Sequence, residues 1–137
     1  MIATKHCLDF DPKNDIPPLH GKIMLITGGT AGLGKQAVLE LAHHSPGEIW
    51  LGARNLIKAK VVYGEIRQQI PGVSIKLLEL DLASFASIRK AASTIIAECD
   101  RLDILMLNAG TSKQVLDLIF TYDSFVSSTG DAYRSYV

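Results

Sequence analysis

One segment, Thr27-Gly28-Gly29-Thr30-Ala31-Gly32-Leu33-Gly34, restricts what this chain can fold into more than any other. It follows the apolar run Ile23-Met24-Leu25-Ile26 and opens a helix-period segment from Lys35 to about His43. A strand that feeds a glycine turn and then a helix presents unpaired N–H groups at the helix start. The aligned peptide dipoles place about half a positive charge there, so the turn suits a phosphate-bearing ligand. Gly28 allows the tight turn, Gly32 lets the backbone approach a pyrophosphate, and Gly34 lets the helix pack close to the strand.

The rest of the described pattern alternates strand with helix. Residues 1–20 read as an irregular arm, because Pro12, Pro17 and Pro18 oppose regular ladders. Strands are expected at Lys22 to Thr27, Glu48 to Ala53, Ser74 to Leu80 and Asp103 to Asn108. The first helix carries Leu33, Ala37, Val38 and Leu41 as one inner stripe, and Ser45-Pro46-Gly47 ends it. The second, capped by Asn55, buries Leu56, Ala59, Tyr63, Ile66 and Ile70 before Pro71-Gly72. The third, capped by Ser84, turns Ile88, Ala92, Ile95 and Cys99 inward. Such alternation predicts an α/β fold: a Rossmann-like, doubly wound parallel sheet in three αβα layers. Right-handed crossovers give strand order 3-2-1-4, with ligand outside the carboxyl ends of the strands.

Three further stretches join the glycine turn in a set order. Gly21-Lys22-Ile23 enters the first strand, Asp81-Leu82 closes the apolar run Val73 to Leu80, and Leu105-Met106-Leu107-Asn108-Ala109-Gly110 ends the fourth strand. Together with the T-G-x-x-x-G-x-G spacing they resemble the short-chain dehydrogenase/reductase family, whose members use NAD or NADP. Leu51-Gly52-Ala53-Arg54-Asn55 and Asp81-Leu82-Ala83-Ser84-Phe85-Ala86-Ser87 look like the branch of retinol dehydrogenase-like and fungal reductases. The resemblance runs from about Leu19 to Gly110 and stops there. It implies an NAD(P)-binding domain over 21–110, followed by an atypical tail, 111–137.

By this resemblance the cofactor-binding residues are Gly28, Thr30, Gly32, Leu33, Gly34, Arg54, Asp81, Leu82, Asn108, Ala109 and Gly110. Asp81 and Leu82 would lie beside the adenine, and Asn108 would steady the central strands while Ala109 and Gly110 pass close to the ribose. A second reading of Asp81 is a negative charge favouring the following helix dipole. Strand two ends in Gly52-Ala53-Arg54 without an acidic residue. An arginine there suits the 2′-phosphate of NADP, whereas NAD sites carry an acid. NADP is the expected cofactor.

The family's proton donor is a tyrosine followed four residues later by a lysine, with a serine upstream. Here Tyr63 is followed by Arg67, Tyr122 by Val126 and Tyr133 by Val137, and nothing stands four places beyond Tyr136. No Y-x-x-x-K exists, so no catalytic residue is assigned, and Val126-Ser127-Ser128 is read as coincidence. The expectation is a C-terminally truncated short-chain enzyme that retains its cofactor half. The parent chemistry is hydride transfer between a nicotinamide and a small-molecule carbonyl or alcohol. A noncatalytic NADP(H)-binding module and a nonfunctional fragment are the alternatives. The apolar fourth strand is expected to leave an edge open to self-association unless Val115 to Phe120 covers it.

Composition excludes several other classes. The 14 basic and 14 acidic side chains cancel, which gives no nucleic-acid surface. Cys7 and Cys99 lack metal-ligand spacing, and His6, His20, His43 and His44 form no pattern with carboxylates or thiols, so no metal is expected. No apolar run reaches the roughly 18 residues of a membrane span, and the first residues do not read as a secretory signal. A cytoplasmic location is the expectation.

Overall fold

The computed structural model describes residues 10–110. Four helices and four strands follow one another as α1 (Pro12–Asp15), β1 (Ile23–Thr27), α2 (Gly32–Ala42), β2 (Glu48–Ala53), α3 (Leu56–Gln69), β3 (Ile75–Glu79), α4 (Phe85–Glu98) and β4 (Ile104–Met106). All strands are parallel, in the order β3-β2-β1-β4. That is the order expected from right-handed crossovers, and it makes β1 a central strand paired on both sides.

Alternation along each strand splits the apolar side chains between two faces. Met24, Ile26, Ile49 and Leu51 face α2 and α3, where Val38, Ala42, Ala59, Val62 and Ile66 complete the first core. Trp50, Leu78 and Leu80 face α4, where Ala91 and Ile95 close the second. Trp50 is buried with its indole N–H donating to Glu48 Oε1 at 2.6 Å, so its polar atom enters the core with a partner. Helix starts follow side-chain chemistry. Asn55 accepts from Ile57 and Lys58 N–H, and Ser84 accepts from Ser87 N–H, as expected of both residues.

Several sequence expectations are corrected. The arm contains a helical turn, α1, because Pro12 stands where a helix has no use for its N–H and the Asp11 side chain accepts from Lys13 N–H. Leu19, assigned to the arm, is buried in the first core, and its N–H donates to the His44 carbonyl at 2.8 Å. Leu33 leaves the expected stripe and is 86% exposed, while the next residue, Gly34, is the one that packs against Gly28 and Asn108. Gly34, Val38 and Ala42 form the buried line instead. On α3 the line includes Val62, and on α4 Ala91 replaces the exposed Ala92. Strand β4 is shorter than expected, ending at Met106. Leu105 is 52% and Leu107 74% exposed; the segment 115–120 invoked to cover this edge lies outside the described residues.

At the other end of the sheet an ionic clasp joins β1 to β4. Asp103 accepts from Ile23 N–H at 2.9 Å, from Arg101 Nε at 3.1 Å and from Lys22 Nζ at 3.3 Å, and Arg101 also donates to the Gly21 carbonyl at 2.7 Å. The Ile23 N–H, with the Lys22 and Arg101 charges, holds the Asp103 carboxyl below the usual aspartate range. A depressed folded-state value means the contribution is present above about pH 4, the ordinary aspartate value, and fades as pH falls through the folded value. Asp103→Asn should therefore lower the urea midpoint at neutral pH and flatten its decline on acidification below about pH 4. Midpoints followed by circular dichroism across that range test this; an acid limb identical to wild type refutes it.

Candidate functional site

Because all four strands run the same way, their carboxyl ends share one edge of the sheet. The turns leaving that edge, with the first residues of α2, carry all eleven sequence-predicted residues. Gly28, Thr30, Gly32, Leu33 and Gly34 follow β1, Arg54 follows β2, Asp81 and Leu82 follow β3, and Asn108, Ala109 and Gly110 follow β4. Residues 80 positions apart in sequence thus surround one mouth.

The β1–α2 turn is tightly bound to the end of β4. Gly28 has φ +69°, and a Cβ built on it would lie 2.7 Å from Ala109 Cα and 3.0 Å from Ala109 N. No side chain fits there while the β4 segment passes. Gly34 serves a similar end, since a Cβ would collide with the Asn108 amide and the Gly28 carbonyl. Gly32 differs. It has φ +52°, and a Cβ would meet nothing within 4 Å. The space over Gly32 is open, as a bound phosphate would require. Gly29, which sequence reasoning left without a role, is packed on the core side, where a Cβ would strike Leu51 and Val38.

Two polar side chains hold this crossing in place. Thr27 is 2% exposed; its hydroxyl donates to the Met106 carbonyl at 3.4 Å and accepts from Ala109 N–H at 3.1 Å. Asn108 Nδ2 donates to the Thr27 and Gly28 carbonyls, each at 3.3 Å. Thr27 was missed as a candidate because its partners lie about 80 residues downstream. Only its position at a strand end beside two glycines hinted at it.

Helix α2 lacks a side-chain cap, unlike α1, α3 and α4. Its N-cap is Ala31, and the first bond into the helix runs from Lys35 N–H to the Ala31 carbonyl at 3.2 Å. The amides before Lys35 therefore face the open space over Gly32 without a helical acceptor. Asp81 builds its own turn: Oδ1 accepts from Ala83 N–H at 3.0 Å, and its backbone N–H donates to Ser87 Oγ at 2.9 Å. Its Oδ2 makes no hydrogen bond among the described residues. Ser84 caps α4, and Asp81 lies three residues before it. Leu82 is exposed beside it, and Arg54 is exposed directly beyond β2, outside every ion pair of the described residues.

The only Tyr–basic spacing before the tail is a surface pair. Arg67 donates to the Tyr63 hydroxyl at 2.7 Å, two turns along α3 and away from the mouth. Tyr122, Tyr133 and Tyr136 lie outside the described residues. Among those residues no group of three or more His, Cys, Asp or Glu could hold a metal, and no helix is long and apolar enough to cross a membrane. Burial and the nearby Glu48 push the Cys99 thiol up, which keeps it protonated at neutral pH.

A family model for short-chain dehydrogenases matches residues 22–127. The chain belongs to the short-chain dehydrogenase/reductase family. The match extends past Gly110, beyond the end of the resemblance carried by the sequence motifs. An uncharacterized oxidoreductase of Schizosaccharomyces pombe is 38% identical over 105 residues, covering 77% of this chain and 31% of its own length. Human retinol dehydrogenase 13 is 41% identical over 93 residues, covering 68% of this chain and 28% of its own. These are the two groups of the branch read from the sequence. The chain spans about a third of the length of the curated relatives it matches.

Solved structures repeat the fold. A metagenomic short-chain oxidoreductase in complex with NADP superposes with a TM-score of 0.63 at 28% identity, covering 69% of this chain and 41% of that one. An oxidoreductase from Haemophilus influenza with bound NAD gives 0.62 at 26%, covering 72% and 34%.

The Thr27 hydroxyl is the group on which the crossing turns. Thr27→Val keeps the shape but leaves Ala109 N–H without its acceptor, and should cost about 1–3 kcal/mol. Thermal denaturation measures this. A variant as stable as wild type would show that the hydroxyl does not hold β4 to β1.

Proposed function

We propose that residues 21–110 form the coenzyme-binding unit of an NADP-dependent oxidoreductase. The carrying observation is the uncapped start of α2 above the open space at Gly32, with Arg54 at the end of the neighbouring strand. The donors and acceptors present fit a dinucleotide. Backbone amides suit the pyrophosphate, the remaining Asp81 oxygen suits the exocyclic amine of adenine, and the Arg54 guanidinium suits a 2′-phosphate. An acid in place of Arg54 would repel that phosphate. When bound, NADPH supplies a hydride. The protein's part is to seat it: Thr27 and Asn108 fix the path of Ala109 and Gly110 past the ribose, while Leu82 and Leu33 offer apolar surface at the rim.

For the full reaction class, reduction of a small carbonyl or oxidation of an alcohol, a proton donor is needed next to the substrate oxygen. A second reading, a noncatalytic NADP(H)-binding module, needs no such donor. The two are separated by titrating the protein with NADPH and then assaying turnover on a panel of ketones and aldehydes. Binding without turnover selects the module, and turnover selects the enzyme.

Cofactor choice has its own test. Arg54→Asp should weaken NADPH binding roughly tenfold or more, from loss of a charge-assisted bond and added repulsion, while NADH binding is kept or improved. Fluorescence titration with both nucleotides measures this. NADPH affinity unchanged in the variant would remove Arg54 from the site.

A further inference from the structure

We propose that the outer face of α3 docks on the surface of an anionic lipid membrane, resting among the headgroups without crossing the bilayer. Helical periodicity sets up that face. Ala59, Val62 and Ile66 are buried in the first core. Ile57, Val61 and Gln68, at i, i+4 and i+11, lie on the opposite side of the helix and are exposed. Ile57 is 77% and Val61 58% exposed, so α3 carries a second, smaller apolar ridge behind its buried one. Gly64 stands on the same line, and a Cβ built there meets nothing within 4 Å. No side chain at that turn holds the ridge away from a flat surface.

Charge on this element is one-sided. The whole chain balances 14 basic against 14 acidic side chains, yet residues 54–69 hold Arg54, Lys58, Lys60 and Arg67 against Glu65 alone. Glu65 is taken by Lys35 of α2, and none of those cations joins an ion pair among the described residues. At roughly 100° per residue, Lys58 and Lys60 fall on opposite shoulders of the Ile57–Val61 ridge, and both are exposed. Such an arrangement suits a helix lying in an interface. The apolar side chains enter the headgroup boundary, and the lysine stems run alongside them to the lipid phosphates. A second copy of the chain fits poorly, because two such faces would bring like charges together. A nucleic-acid backbone would satisfy the cations and leave Ile57 and Val61 without apolar contact.

Co-sedimentation of the full chain, without nucleotide, tests this with vesicles of phosphatidylcholine alone and of phosphatidylcholine mixed with phosphatidylserine. Wild type should bind the mixed vesicles and not the neutral ones, and should lose affinity as salt rises. Lys58→Gln and Lys60→Gln should each weaken binding about fivefold, the effect of one cation at such a surface. The double variant Ile57→Gln, Val61→Gln should weaken it about tenfold or more with no change of charge. Gln forms helix about as well as Lys and better than Ile or Val, so α3 is retained, which circular dichroism checks. Arg89 is the control, being exposed on α4 in the other helix layer and outside every ion pair of the described residues. Arg89→Gln makes the same change of charge and should bind as wild type does. Wild type that ignores the mixed vesicles, or binds neutral ones equally, overturns the proposal. Undiminished binding by the double variant overturns it, as do equal losses in Arg89→Gln and Lys60→Gln. Binding to soluble polyglutamate as tight as to mixed vesicles overturns it in favour of an acidic protein partner.

Discussion

The structure depends on one close backbone crossing, where the segment after β4 passes over the turn that ends β1. A side chain at Gly28 would stand 2.7 Å from Ala109 Cα, so the approach exists only because that position is bare. Thr27 and Asn108 convert this contact into four hydrogen bonds spanning about 80 residues of sequence. Burial of Thr27 raises the stakes, because an unpartnered hydroxyl in that position costs more than a pair contributes. Among the described residues no buried side-chain polar atom lacks a partner. At the opposite edge Asp103 performs the matching task for the entry of β1. Strand β1 is thereby held to β4 at both ends, although their ladder is only three residue pairs long.

The site follows from that anchoring. Once the β1–α2 turn is immobilised on its core side by Gly28, Gly29 and Gly34, the start of α2 is left without a side-chain cap among the described residues. Capping residues close the other three helices. Leaving α2 uncapped is the same economy of donors seen wherever a helix start receives an anion. The parallel sheet then sets Arg54, beside the Asn55 cap, and Asp81, which bonds Ala83 N–H, at the same edge.

Legibility from the sequence varied with the range of the interaction. Asn55 and Ser84 act within three residues, so their capping was readable from residue type and position alone. Phases of the helices were less secure. Leu33 has the spacing of a core residue, yet Gly34 beside it takes the inward position, and Ala91 displaced Ala92 by a single step of rotation. Which face a helix buries depends on where it crosses the strands, and that is a property of the assembled layers. Thr27 and Asp103 were invisible as clasps because the bonds that tie β1 to β4 through them run to partners about 80 residues away.

The sequence alone determined the strand–turn–helix repeat, the topology, the family and the glycine positions, because these rest on periodicity, residue size and contacts between near neighbours. Tertiary structure decided which glycine is bare to admit a backbone and which faces open space. That distinction lies between Gly28 and Gly32, two residues of the same type and the same sign of φ. The difference is made entirely by Ala109, and only the folding of β4 against β1 brings it there.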